Sequence, residues 1–267
     1  MKNFIFLFAF LLVVIFNYDS VAQVITSKEE LAARDTVAAN LLKAQSLADQ
    51  GNTEEALKIY VRIMETYPDN KDAVQGWIIT KAIIAQGGPD EMLKSLAQLQ
   101  ELYPTNTGVL FWKAFIEGSI GQNEAALKDI NELIKVQPDT ALHYLLKGQV
   151  LGALEEYGEA FEALDKATTL DPTRPDVWGM KAGALAKLGK FDDALTAINK
   201  GLELTPNEPV SIYNRACIYC LKGDKANALA DLEKAISLNP SLKHQAPQDE
   251  DFKSLYDDED FKKLTLQ

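Results

Sequence analysis

The residues best suited to chemistry are two cysteines. Cys217 and Cys220 form a Cys-x-x-Cys pair, which carries redox chemistry when the first thiol lies at a helix N-terminus, where the helix dipole lowers its pKa. This pair instead falls inside a predicted helix, where residues three apart have Cα atoms about 5 Å apart, close enough for a strained disulfide. Three interpretations stay open: small buried residues of the core or groove, a redox pair, or metal ligands, although two thiolates alone make a poor zinc site.

The two histidines offer little for catalysis. His143 and His244 lie far apart in the chain, so they form no metal-binding cluster. His143, the third residue of a predicted helix, is expected to face solvent, and His244 lies in the C-terminal tail. The sequence also lacks a phosphate-binding glycine loop, a dinucleotide-binding turn, a zinc-protease helix and a nucleophile elbow. We therefore predict that the protein is not an enzyme and uses no cofactor and no metal.

The composition narrows the class of partner. The chain has 267 residues, with 27 Lys and Arg against 39 Asp and Glu, and a formal net charge of −12. Nucleic acids and anionic lipid surfaces are bound through Lys and Arg, so the charge argues against both partners. Two cysteines are too few for a disulfide-stapled scaffold. We expect a soluble, core-forming protein that binds no nucleic acid.

The N-terminus has the pattern of a secretory signal peptide over residues 1–22. Lys2 precedes an apolar run over 4–16, which is shorter than the roughly 20 residues that cross a bilayer. The small residues Ser20 and Ala22 suit cleavage before Gln23. The alternative is an uncleaved N-terminal anchor. No cysteine follows the run, so we expect an exported protein, periplasmic or secreted, that is not a lipoprotein and does not insert into the membrane after leader removal.

Helical elements must position any site in the rest of the chain, and prolines mark their ends. Proline lacks the backbone N–H and disfavours helix in the preceding residue. The spacing is 36 residues once and 34 thereafter, at Pro68, Pro104, Pro138, Pro172, Pro206 and Pro240. It defines six units over residues 37–242: 37–70, 73–106, 107–140, 141–174, 175–208 and 209–242.

Other positions recur within these units. Position 15 is glycine in every unit but the fourth, which has Glu155, and glycine there ends one helix and opens the next. Positions 8 and 20 carry small side chains in nearly every unit, which lets two helices approach closely. Each unit is therefore predicted to be a helix, a glycine turn, a second helix and a proline stop.

The pattern resembles that of the tetratricopeptide repeat family, whose 34-residue units place Trp, Leu-Gly, Tyr, Ala, an aromatic residue and Pro in that order. Unit five matches best, although Lys181 and Ala182 stand where the family has Leu and Gly; its matching residues are Trp178, Leu185, Gly189, Phe191, Ala194, Ile198 and Pro206. The resemblance implies an all-α, right-handed solenoid of six helix-turn-helix repeats whose first helices line a concave face. Residues 23–36 are expected to extend the first helix, with a capping box at 27–30.

The tail, residues 243–267, is predicted to cap the open end of the solenoid. Its sequence at 250–255, Glu-Asp-Phe-Lys-Ser-Leu, recurs in part at 259–264. In the capping interpretation these short helices lay Phe252, Leu255, Phe261 and Leu264 on the last repeat. The alternative is an acidic docking motif for a basic partner. The acids at 257–260 lack the spacing and the central glycine of an EF-hand calcium loop.

The resemblance also implies a binding groove, because first-helix positions 2, 5, 9 and 12 of the family line the concave face, with position 6 at its edge. Gly179 and Gly183 of unit five leave a gap there, and Cys217 and Cys220 belong to the same set. The predicted partner-binding residues are Trp77, Lys81, Phe111, Trp112, Phe115, Leu145, Gln149, Tyr213 and Asn214. A clamp for chaperone C-terminal carboxylates would need a set of Lys, Asn and Arg, of which the groove has only Lys81.

These features predict a non-catalytic scaffold or adaptor of the cell envelope that binds a peptide or protein segment in its concave groove. An alternative from another class is a glycan or cell-wall fragment stacked on the groove aromatics. A third hypothesis is a thiol redox protein that uses Cys217 and Cys220.

Overall fold

The computed structural model describes residues 28–67, 70–85, 88–104 and 106–266. The predicted leader, its cleavage site and Ser27 of the capping box lie outside these residues. Within the described ranges the regular secondary structure is helical, and no strand occurs there. No helix of this part of the chain combines the length and the apolar character needed to span a bilayer.

Twelve helices of the described chain pair into six antiparallel hairpins, and this confirms the predicted all-α repeat fold. The first helices of units three to six begin at residues 107, 141, 175 and 209, where those units begin. In chain order the helices are α1 Lys28–Asp49, α2 Thr53–Thr66, α3 Lys71–Ala85, α4 Pro89–Leu102, α5 Thr107–Ser119, α6 Asn123–Val136, α7 Ala141–Ala153, α8 Tyr157–Leu170, α9 Pro175–Lys187, α10 Phe191–Leu204, α11 Pro209–Lys222 and α12 Lys225–Leu238.

The turn within each hairpin uses a left-handed backbone at position 15. Four glycines there have φ between 72° and 86°: Gly51, Gly121, Gly189 and Gly223. Unit four follows the same course with Glu155 at φ 61°, the one non-glycine residue of the described chain with positive φ. A side chain in this conformation crowds its own carbonyl oxygen, so unit four has a strained turn.

Replacing Glu155 with glycine should relieve this strain. We expect the free energy of unfolding to rise by about 0.5–1 kcal/mol, because the left-handed conformation costs glycine little and the greater flexibility of the unfolded chain offsets part of the gain. Urea denaturation followed by circular dichroism measures the change. The matched control is Glu156→Gly, since Glu156 has φ −82°; it should destabilise the protein, and equal effects of the two changes would contradict this account.

Small residues let the helices pack closely. The alanines at position 20 of five units are at most 1% exposed: Ala56, Ala126, Ala160, Ala194 and Ala228. A Cβ on Gly148, at position 8, would lie 2.5 Å from the Leu164 side chain. The close approach of α7 and α8 therefore depends on the absence of a side chain at Gly148.

Position 7 of units three to six is cationic, where the family has leucine. In unit three the Lys113 Nζ lies 2.7 Å from Asp129 Oδ2 on α6 of the same unit. In unit five the Lys181 Nζ lies 2.6 Å from Asp165 Oδ1 on α8, one unit back. In unit six Arg215 uses both directions: it makes a bidentate contact with Asp231 of its own unit and donates to Asn199 one unit back.

The C-terminal tail caps the last repeat, as predicted. It comprises α13 Leu242–Gln245, two 3₁₀ turns at Ala246–Gln248 and Glu250–Leu255, and α14 Glu259–Leu266. Phe252, Leu255 and Phe261 are buried, whereas Leu264 is half-buried. The acids of the tail pair with lysines of the repeats themselves, Asp251 with Lys187 and Asp258 with Lys225.

Candidate functional site

The predicted aromatic strip is not an exposed surface in this structure. Phe115 and Lys81 are half-buried, and only Gln149 and Asn214 are exposed. The other five predicted groove residues are at most 7% exposed: Trp77, Phe111, Trp112, Leu145 and Tyr213. The prediction that these rings present faces to a ligand is therefore wrong for the described conformation.

The aromatic residues of α5 pack with one another. The Trp112 ring meets both the Phe111 and Phe115 rings edge-on, with centroids 5.6 Å apart in each case. Phe111 also lies near the His143 ring of α7, with a centroid separation of 6.4 Å. The contact of Phe111 with His143 joins repeats three and four, so the buried Phe111 and Trp112 rings are not available to stack on a sugar.

His143 is buried rather than solvent-facing, which corrects the expectation from the sequence. It is 0% exposed, and neither ring nitrogen makes a hydrogen bond within the described structure. Burial, together with a smaller effect of the Lys71 ammonium, lowers its pKa from 6.5 to about 4, against an opposing effect of the Gln137 backbone. His143 is thus a neutral core residue at neutral pH.

An open part of the first-helix face lies on α9. An added Cβ on Gly183 would meet no atom within 4 Å, and one on Gly179 would meet only Ile198 Cδ1 at 3.9 Å. Gln149 on α7 and Asn214 on α11 are exposed on the neighbouring first helices. We call Gly179 and Gly183, with Gln149 and Asn214 beside them, the glycine floor.

Beside the glycine floor, the tail covers the groove positions of unit six. Tyr213 Oη donates to Asp249 Oδ2 at 2.8 Å, and Cys217 Sγ lies 3.9 Å from the same oxygen. The Cys220 sulfur lies 3.2 Å from Ser254 Oγ. Positions 5, 9 and 12 of unit six are therefore each in contact with residues of the segment 249–254.

Both cysteines are free and buried. Burial raises the pKa of Cys217, and the carboxylates of Asp249 and Asp251 raise it further, against the opposing effect of Lys187. Burial also raises the pKa of Cys220, although its contact with Ser254 opposes the shift. Reactive thiols need a lowered pKa and access to solvent, so this environment weighs against the redox hypothesis.

One group in the described structure has the composition of a metal site. Cys217 Sγ and carboxylate oxygens of Asp249 and Asp251 lie within 4.8 Å of one another. Both carboxylates already have partners, because Asp249 accepts from Tyr213 and Asp251 pairs with Lys187 at 3.0 Å. These contacts hold the tail on α11 and α9, and the three residues of the group belong to that packing.

Sequence reasoning anticipated the gap at Gly179 and Gly183 but not the occupant beside it. The tail was predicted to lie on the last repeat without a stated face. Its acids precede a phenylalanine, and Tyr213 and Lys187 offer a hydroxyl and an ammonium on the first helices. This chemical complementarity could have indicated where the tail binds. It can be recognised only when the face on which the tail lies is known.

The fold defines a repeat protein built of helical hairpins. Tetratricopeptide repeat models match residues 38–70, 118–175, 153–211 and 209–242. The matches together span more than half of the sequence, and the chain belongs to the tetratricopeptide repeat family. No curated protein sequence matches it.

Solved structures share the fold at low sequence identity. A tetratricopeptide repeat protein from Parabacteroides merdae has a TM-score of 0.57 and 20% identity, over 87% of this chain and 100% of that one. A crystal structure of MamA has a TM-score of 0.55 and 18% identity, over 72% and 94% of the two chains. YrrB, described as a tetratricopeptide repeat protein with an unusual peptide-binding site, has a TM-score of 0.55 and 18% identity, over 68% and 92%.

Proposed function

We propose that the protein is a non-catalytic scaffold that binds a peptide or protein segment over the glycine floor of its concave face. The tetratricopeptide repeat fold indicates a role in protein–protein interaction, and the peptide-binding site reported for YrrB makes a groove ligand plausible. The observation that carries the proposal is the open space above Gly183 and Gly179. It lets a peptide backbone approach α9 closely, between exposed amides on α7 and α11.

The exposed amides suit an extended peptide. Gln149 and Asn214 each provide a donor and an acceptor, and they lie on the two first helices that flank α9. Main-chain hydrogen bonds to such amides are independent of the ligand's side chains, so the floor itself would recognise the backbone of the ligand. Selectivity would then come from the neighbouring first-helix positions of units four and six.

Filling the glycine floor should weaken binding strongly without harming the fold. Random twelve-residue peptides displayed on phage would be selected on the chain, and the affinities of the selected peptides measured by fluorescence anisotropy. We expect Gly183→Phe to weaken them at least tenfold, because the phenyl ring would occupy the open space above α9. Phenylalanine has a better helix propensity than glycine, so α9 itself should not be destabilised.

The matched control is Gly158→Phe on α8. Gly158 is also exposed and also has no atom within 4 Å of an added Cβ, but it lies on a second helix. Peptides should bind this variant as they bind the unmodified chain. The proposal is wrong if no peptide is enriched, or if the two variants bind equally well.

We further propose that the protein is exported to the periplasm or beyond and acts as an adaptor in the cell envelope. The support is the leader-like sequence, with its apolar run over 4–16 and small residues at Ser20 and Ala22. Intact mass spectrometry of the protein from the exported fraction should show a chain that begins at Gln23. A full-length chain confined to the cytoplasm would contradict export.

A further inference from the structure

The tail segment 249–255 lies on the first-helix face as a bound peptide would. Two of its acids contact groups on separate first helices: Asp249 accepts from Tyr213 Oη of α11 at 2.8 Å, and Asp251 lies 3.0 Å from Lys187 Nζ of α9. The segment therefore bridges units five and six at their first helices. It thereby contacts α9 one helical turn beyond Gly183, because Lys187 follows Gly183 by four residues.

The same segment is anchored by one aromatic side chain. Phe252 is 0% exposed and meets the Tyr213 ring edge-on, with centroids 5.5 Å apart. An aromatic ring in a buried pocket, surrounded by polar contacts, is the usual arrangement of a binding hot spot. Glu250 between the two contacting acids is exposed, so the contacts select particular side chains and do not reflect a general attraction of acids.

We propose that the first-helix face of units five and six is a binding site for an acidic segment that contains phenylalanine, and that residues 249–255 are its intramolecular occupant. This inference rests on the proposed peptide-binding function and names the chemistry of the ligand. A partner segment of the form Asp-x-Asp-Phe replaces the tail contact for contact. It supplies a carboxylate to Tyr213, a carboxylate to Lys187 and a ring to the Phe252 pocket.

The charge of the site restricts the partner further. Lys187 would lose its counter-ion if a neutral or basic segment replaced the tail, and the phenolic proton of Tyr213 would lose its acceptor. A buried donor left without a partner costs more free energy than the hydrogen bond contributes. A segment that brings a carboxylate to Tyr213 therefore displaces the tail without this loss, and a second carboxylate restores the partner of Lys187, whose side chain is 48% exposed.

The cysteines beneath the tail provide a direct measure of its position. Cys217 and Cys220 are buried and in contact with Asp249 and Ser254, so an aromatic disulfide reagent should label them slowly in the native chain. We expect Asp251→Lys to raise the labelling rate about tenfold, because two ammonium groups then face each other. The exchanged pair, Lys187→Asp with Asp251→Lys, should return the rate to the native value. The matched control Glu250→Lys makes the same charge change at an exposed side chain and should label as slowly as the native chain.

A peptide added in trans tests the binding site itself. The single variant Asp251→Lys loosens the segment but keeps the Phe252 ring that packs on α11, and a synthetic peptide of residues 247–257 should slow its thiol labelling at least tenfold. A peptide that carries Asp251→Lys with Phe252→Ala should give no protection. The proposal fails if the native-sequence peptide does not protect the thiols, or if Glu250→Lys labels as fast as Asp251→Lys. Phage-selected peptides that still depend on Gly183 would show that such a failure concerns only this inference and leaves the peptide-binding function standing.

Discussion

Replacing His143 with valine should make the protein far less sensitive to acid. Burial lowers the pKa of this imidazole to about 4 in the folded chain, against 6.5 in the unfolded chain. The unfolded chain thus takes up a proton first as pH falls. The stability associated with neutral His143 is fully present above pH 6.5 and is lost as pH falls towards 4. By linkage the loss amounts to roughly 2 kcal/mol at pH 5 and roughly 3 kcal/mol at pH 4.

Valine is the natural substitute for His143, because other units of this chain have valine at the same position. Val109 and Val177 occupy the equivalent third position of units three and five and are at most 1% exposed. Near pH 7.5 we expect the two proteins to differ by about 1 kcal/mol or less, since the smaller side chain loses contacts while two buried nitrogens without hydrogen bonds are removed.

Urea midpoints measured from pH 7.5 to pH 4.5 give the difference directly. Both proteins carry the same carboxylates, so the effect of carboxylate titration on stability cancels in the comparison. The remaining pH-dependent difference in the free energy of unfolding is then due to His143. His244, the other histidine of the chain, is exposed in the tail, and His244→Gln serves as the control with an unchanged pH dependence. Parallel curves for the native chain and His143→Val would refute the assigned protonation state.

Replacing Phe252 with alanine should release the last repeat. The side chain is fully buried between Tyr213 and Phe261, and truncation of a buried phenylalanine costs about 3–5 kcal/mol. Each repeat of a solenoid contacts only its neighbours, so the loss should be confined to the capped end. Hydrogen exchange measured by mass spectrometry should quicken in α11 and α12 and stay unchanged in α5 and α6.

Leu238→Ala provides the comparison for this change. Leu238 ends α12 close to the tail but is 43% exposed, and an exposed substitution of this kind is expected to shift stability by about 0.5 kcal/mol or less. If Phe252→Ala left the exchange of α11 at the native rate, the tail would not be the cap. If it quickened exchange uniformly along the chain, the repeats would unfold as one unit.

The hairpins could be predicted from the sequence because proline and glycine act locally. A proline beyond the first turn interrupts a helix, and a glycine permits the left-handed turn without help from neighbours. Glu155 shows that tertiary packing can impose the same turn on a residue that disfavours it. The periodic positions therefore identified the architecture even where one residue departed from the pattern.

The exposure of the groove residues could not be predicted in the same way. A helical position specifies the direction of a side chain but not what lies opposite. Tyr213 points to the first-helix face as the pattern implied, yet the tail covers it, and Phe111 is covered within the contact of repeats three and four. The burial of His143, by contrast, could have been predicted from the sequence, because two other units have valine at the equivalent position and this indicates an apolar position.

The cations at position 7 find partners in different units, although they occupy the same position of the repeat. Lys113 finds its carboxylate within its own unit, Lys181 finds one in the unit before, and Arg215 reaches both ways. Units of equal length look interchangeable, but excising unit four would bring Asn131 to the place of Asp165 and leave Lys181 facing a neutral amide. Among these three residues, Lys181 makes the ion pair that joins two units. This pair favours unit four as the neighbour of unit five and opposes the deletion of unit four from the array.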